Sequence, residues 1–216
     1  MRINIYCIPT LILIMGILSF NKQSKEDKFW TWFSANENVY YTEVEDGKYR
    51  KVIFDKLANE LQKIHEDLSF EFSPIHENGV RELTISAEGI IDVFPIVESL
   101  IRKAPKLVNW KFNAFRQRVP GDDIELELGE KKIGYSDIYY RYKDGDYGEI
   151  GIELNIRNYD ESRLIQHATY ILLDGLIGEY DLTVGIDWIE WVKLDESTIP
   201  SLSPIIELRT LIDTKK

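Results

Sequence analysis

The sequence predicts an α+β fold: a two-layer sandwich in which helices cover one face of a mainly antiparallel sheet. Three observations carry this expectation. Apolar and polar residues alternate in short stretches such as "SFEF", "VRELTIS", "LVNWKFNAF" and "YGEIGIELNI", the pattern of strands with one dry and one wet face. Two helical stretches, 92–103 and 160–178, each lie between strands, and such crossovers place helices on the packed side of a sheet. The turn "KDGD" between two alternating stretches marks a hairpin. The resulting order is helix, helix, two strands, helix, four strands, helix, strand. That order is ferredoxin-like with an inserted hairpin, an analogy of fold that carries no activity.

The first helix is expected over 27–36, where "KFWTWFSANEN" gathers four large aromatics. Phe29, Trp32 and Phe33 share one face at i, i+3 and i+4 spacing, so the helix is expected to fold back on its own domain. A longer helix over 46–68 carries Tyr49, Val52, Ile53, Leu57, Leu61, Ile64 and Leu68 at helical spacing. Strands "SFEFSPI" and "VRELTIS" follow, joined by "HENG", with Phe70, Phe72, Leu83 and Ile85 on their apolar faces. In 92–103, Asp92 is the expected N-cap and Pro95 fits the first turn; Val93, Val97, Leu100 and Ile101 form the stripe, and Pro105 ends it. Val108, Trp110, Phe112 and Ala114 then point one way, and Ile124, Leu126 and Leu128 do so in the next strand. Ile150, Ile152, Leu154 and Ile156 supply the core face of the "KDGD" hairpin. The helix 160–178 is expected to turn Leu164, Ala168, Ile171, Leu172 and Gly175 inward. A long last strand, "DLTVGIDWIEWVKL", would alternate through Leu182, Val184, Ile186 and Trp188, and "IPSLSPIIEL" would wrap the surface.

At 216 residues the chain is long enough for one sizeable core. Positions 3–21 contain no charged residue, Arg2 precedes them, and Lys22 and Lys25 follow. That pattern reads as a secretory signal or an uncleaved anchor over 1–24, ahead of a single α+β domain over 25–216. Small residues suited to cleavage are limited to Gly16 and Ser19, awkwardly spaced, which keeps membrane attachment through residues 3–21 open. The alternative is that the apolar run is a buried element of a cytoplasmic protein. Cys7, the single cysteine, precedes the apolar stretch; lipidation is disfavoured, and residues 25–216 can form no disulfide.

The net charge of −11 excludes a nucleic-acid surface, which needs clustered lysine and arginine. No catalytic, metal or cofactor constellation emerges. Glu125 with Glu127, and Glu149 with Glu153, are spaced as a wet sheet face requires. His65, His76 and His167 lack a second ligand at metal-binding spacing. "KDGDYGE" is too short for a calcium loop, and Ser86 in "ISAEGI" lacks the glycines of a nucleophile elbow. What remains is an aromatic-rich, acidic sheet face suited to binding. Trp188 and Trp191 are an odd number apart, so one of them leaves the packed face unless a bulge intervenes. Trp30, Tyr140, Tyr142 and Trp191 are the candidate binding residues.

Three segments taken together, "FWTWFSANEN", "LTISAEGIIDVFPIVESLIRKAPKLVNWKFNAFRQR" and "ATYILLDGLIGEYDLTVGIDWIEW", resemble an uncharacterised family of bacterial proteins. The resemblance spans about residues 28–193 and implies a bacterial origin and a single domain, with no mechanism. The expectation is therefore a non-catalytic binding or interaction protein, exported or anchored at the cell envelope, whose partner is an unknown protein or envelope ligand. Two alternatives stand beside it. One is a cytoplasmic inhibitor or immunity-type protein. The other is a carboxylate-dependent hydrolase of envelope polymer using Glu125 or Glu153.

Overall fold

The computed structural model describes residues 23–129 and 131–215. The leader or anchor expected over 1–24 lies outside the described residues, apart from its last two positions. Among the described residues no helix is long and apolar enough to cross a membrane.

The α+β class holds, with helices and strands in open antiparallel and mixed sheets. The strands divide among three sheets, ordered β1-β2-β3, β4-β5 and β8-β7-β6-β9. The single expected core is likewise divided, one cluster spanning Phe29 to Phe115 and a second spanning Ile133 to Ile212.

The first cluster is built by α1 (Lys25–Glu43), α2 (Gly47–Gln62), β1 (Ser69–Phe72), β2 (Arg81–Ser86), α3 (Phe94–Arg102) and β3 (Trp110–Ala114). Ser24 and Asp27 form a capping box that starts α1, and Asp46 caps α2. The α1 aromatics do fold back on the domain. Phe33 packs its ring 5.2 Å from that of Trp110. Trp30, expected at the surface, is buried: its ring lies 4.6 Å from Phe112 and its Nε1 donates to the Leu100 carbonyl at 2.7 Å. The apolar face of α1 is wider than the Phe29–Trp32–Phe33 stripe, because α3 closes over its flank and supplies an acceptor for the indole. The strand–helix–strand unit β2–α3–β3 is parallel, as a crossover requires. A short 3-10 turn, Ile91–Val93, precedes α3, so Asp92 does not act as its cap.

The second cluster contains β6 (Ile138–Asp144), β7 (Ile150–Ile156), α4 (Arg163–Ile177), α5 (Glu179–Gly185), β8 (Ile186–Lys193), β9 (Ser203–Pro204) and α6 (Leu208–Lys215). A small hairpin of β4 (Glu125–Leu128) and β5 (Lys131–Gly134) packs at its margin. The β6–β7 hairpin pairs Asp144 with Ile150 around the expected turn.

Three expectations are corrected here. The first half of the anticipated last strand is the helix α5, so Leu182 and Val184 are helical. The tail carries α6, whose Leu208 and Ile212 are buried in the second cluster. In α4 the inward stripe is Ile165, Ala168, Leu172 and Leu176, while Leu164 and Ile171 stand 50% and 59% exposed. Both stripes of α4 are apolar, so periodicity alone could not say which meets the sheet.

A register shift at Ile150/Gly151 lets Ile150 face Ile186 while Gly151 faces Trp188. The extra residue sets Trp188 on the open sheet face, where its indole lies across Gly151. A Cβ built at that glycine would fall 1.9 Å from the ring. Trp191 turns to the α4 side and donates to Thr169 Oγ1 at 2.8 Å.

Arg81 is an outlier in the first cluster. Its side chain is fully buried, Nη2 reaches Glu45 at 2.5 Å, and Nε and Nη1 have no partner. Truncating one partner of such a pair strands a buried charge, whereas an apolar replacement removes the problem. Urea unfolding should therefore show Glu45→Ala losing about 1–3 kcal/mol and Arg81→Met losing less than Glu45→Ala or gaining stability.

Candidate functional site

The two clusters meet at Glu179, the first residue of α5. Gly178, at φ +83°, breaks α4 and turns the chain into α5, a conformation that favours glycine. Glu179 is 1% exposed, and its carboxylate accepts three backbone N–H bonds from the loops that follow β2 and β3. Ala87 and Gly89 donate to Oε1 at 2.9 and 3.2 Å, and Arg116 donates to Oε2 at 3.0 Å. Glu179 N–H in turn donates to the Arg116 carbonyl at 3.0 Å. The loop that supplies these donors turns through Glu88 and Gly89, both at positive φ. The alternate amides of Ala87 and Gly89 then converge in a concave site that suits an anion. This gives "ISAEG" its structural meaning. Ser86 is buried, and its Oγ accepts from the Glu88 N–H at 2.9 Å and from Arg116 Nη1 at 2.8 Å.

Arg116 extends the junction outward. Its guanidinium pairs Nε with Asp174 and Nη1 with Glu88 at 3.1 Å. Asp174 Oδ1 is buried with no hydrogen-bond partner. Beside it opens a cleft of about 840 Å³, walled by Glu71, Glu88 and Arg116 on one side and by α4, α5 and the start of β8 on the other. His167, Tyr170 and Ile171 line it from α4, and Ile186, Asp187, Trp188 and Ile189 from β8. Burial pushes the Asp174 carboxyl up; Arg116 opposes this, and Glu179 and Glu88 reinforce it. Glu71 is likewise pushed up by the protein around it, against the pull of Arg116, with Asp174 and Glu88 adding to the rise. The cleft thus carries crowded carboxylates opposite an aromatic and aliphatic wall. Among the described residues, no group of three or more His, Cys, Asp or Glu side chains is placed to hold a metal ion.

The four binding candidates are not brought together. Trp30 is in the first core. Tyr140 is buried in the second, where burial pushes its hydroxyl up to about 12. Tyr142 shares the strand face of Tyr140 but lies beyond the end of the core, 44% exposed, with Lys215 Nζ 5.7 Å from its ring centre. Trp191 sits at the β8 edge, half-buried against Tyr170 at 5.5 Å. The alternating carboxylates behave as a solvated face: Glu125 and Glu127 pair with Lys132. Burial alone would raise Glu153, but Arg141 and Asn155 outweigh it and hold the carboxyl low. Ser86 reaches no base. Glu71, Glu88, Arg116, Asp174 and Glu179 escaped sequence reasoning, since nothing in their spacing announces a cluster.

No protein-family model matches the chain, and no curated protein or solved structure matches it.

Two outcomes follow from this geometry. Glu179→Ala removes the acceptor of three N–H groups, one buried and two part-buried, and should lower stability by about 1–3 kcal/mol in denaturant unfolding. Asp174 has a folded-state pKa above its unfolded value. It contributes stability that is complete below the ordinary carboxylate range and lost as pH rises through the raised value. Asp174→Asn removes that loss, so its stability relative to the parent should climb with pH across and just above the carboxylate range. A constant difference from acid to neutral pH would contradict the assignment.

Proposed function

We propose that this chain is a non-catalytic binding protein and that the cleft between its two cores receives a cationic group with an apolar body. The observation that carries the reading is the composition of the cleft wall. Glu71, Glu88, Asp174, Glu179 and Asp187 bring carboxylates to it, and Arg116 is its one arginine or lysine among the described residues. Glu179 is fully engaged by backbone amides, and Arg116 is shared between Asp174 and Glu88, so negative charge is left over. Tyr170 offers a partly exposed ring beside that charge, which suits a cation through its field and through its contact with a π face. The expected envelope address belongs to this proposal. Intact mass of the protein from soluble and membrane fractions tests it, and full-length protein confined to the soluble fraction would remove the address while leaving the cleft in place.

A direct test compares three ligands of one shape: benzylamine, benzyl alcohol and benzoate. Benzylamine should bind in the millimolar range and shift the amide resonances of Trp188 and Asp174 saturably. Benzoate should not, and Glu71→Gln combined with Asp174→Asn should weaken benzylamine several-fold. Equal responses to all three, or none, would sink the reading.

A second reading has one specific observation behind it. Asp174 and Glu71 are both pushed up in one cleft, and a raised carboxyl is the form that a general acid uses. This reading moves the hydrolase idea from Glu125 and Glu153 to Glu71 and Asp174. It requires turnover of an envelope glycan that Asp174→Asn abolishes.

A further inference from the structure

We infer that the edge of β8 left unpaired among the described residues takes up an extended, basic segment of a partner protein as an added strand, a proposal that rests on the acidic-cleft reading and names the class of partner. Three observations converge on it. First, β8 is eight residues long, pairs with β7, and closes one margin of its sheet. Leu194 N–H donates to the Ile156 carbonyl at 2.9 Å. Because alternate residues of a strand direct their backbone groups to opposite sides, Lys193, Trp191 and Ile189 direct theirs away from β7. None of the eight residues of β8 is buried, as an open margin requires.

Second, the helix beneath extends past the sheet above it. Ile171 and Tyr170 are apolar yet exposed, and they line the same cleft as Ile186 and Ile189 of β8. Trp191 bonds Thr169 and meets the ring of Tyr170, which fixes α4 alongside the margin. One further strand would cover this flank. Third, the neighbouring charge is acidic. Asp187 and Glu190 are exposed on β8 against one lysine, Lys193, at its end, and Glu71 and Asp174 stand across the cleft. The occupant that satisfies all three has apolar side chains toward α4 alternating with lysine or arginine toward the open face, and backbone amides free to pair. Strand addition of this kind draws affinity from the main chain and specificity from alternate side chains.

The test uses the full chain and three capped peptides as long as β8: one alternating lysine and valine, one alternating glutamate and valine, and the lysine peptide with alternate backbone nitrogens methylated. Hydrogen exchange is read at Ile189 and Trp191. The lysine peptide at saturation should slow these amides about tenfold or more. It should bind at least about tenfold tighter than the glutamate peptide, and Asp187→Lys with Glu190→Lys should reverse that preference. The methylated peptide should not bind. Binding without protection of β8, or equal binding of the methylated peptide, overturns strand addition and leaves the cationic cleft standing. Benzylamine binding with no peptide binding does the same. Failure of benzylamine and peptides alike overturns both. Protection of Ile189 and Trp191 without peptide, in step with dimer formation by sedimentation, would assign the margin to a second copy of the chain and overturn the proposal.

Discussion

The structure depends on one buried carboxylate. No strand is shared between the sheets of the two cores. Glu179 joins them, flanked by the contacts of Tyr180 with Phe94 and Phe115 and by the Arg118–Asp181 pair. An ionised carboxylate withdrawn from water carries a large desolvation cost unless hydrogen bonds replace its hydration. Here three backbone amides do so, and they come from two loops, at Ala87–Gly89 and at Arg116. The bonds are charge-assisted, and their geometry is fixed by main chain rather than by mobile side chains. The interaction specifies orientation as well as proximity, because only one placement of α5 brings the carboxylate into the site while its own N–H meets the Arg116 carbonyl.

The junction and the cleft are consequences of the same residue pair. Arg116 uses its backbone to hold Glu179 and its side chain to hold Asp174 and Glu88. A single cation therefore serves both walls, and it cannot neutralise every carboxylate that the junction gathers. The surplus is concentrated where α4 exposes Tyr170 and Ile171. Field and apolar surface are adjacent because one structural element places both.

The elements with a single apolar stripe were legible in the sequence. Phe29 and Phe33 of α1, the strands around Leu83 and Ile85, and the "KDGD" hairpin stand where their periodicity put them. Three kinds of information were not legible. In α4, Leu164 and Ile171 compete with Ile165, Ala168 and Leu172, and only the sheet decides between two apolar stripes. At β8 a register shift inserts one residue, and an inserted residue exchanges the faces of everything after it; Trp188 went out and Trp191 went in. The cleft was the third. Its carboxylates lie at 71, 88, 174 and 179, on separate elements, and no spacing rule connects them. One trace existed: "ISAEG" and "LIGE" each set a glycine beside a glutamate, and those glycines make the turns that bring Glu88 and Glu179 to Arg116.

The acidic character of β8 bears on why such a margin persists at all. An unpaired strand invites pairing with any other chain, and proteins blunt the hazard with charges and bulges at their margins. β8 has both, in Asp187, Glu190 and the irregularity at Gly151. Two copies meeting β8 to β8 gain little from these charges, because the antiparallel register that sets Lys193 against Asp187 also sets Glu190 against Glu190. A basic strand meets Asp187 and Glu190 without that like-charge contact. In the proposed complex these two carboxylates face a partner of opposite sign, and the same strand covers the exposed flank of α4.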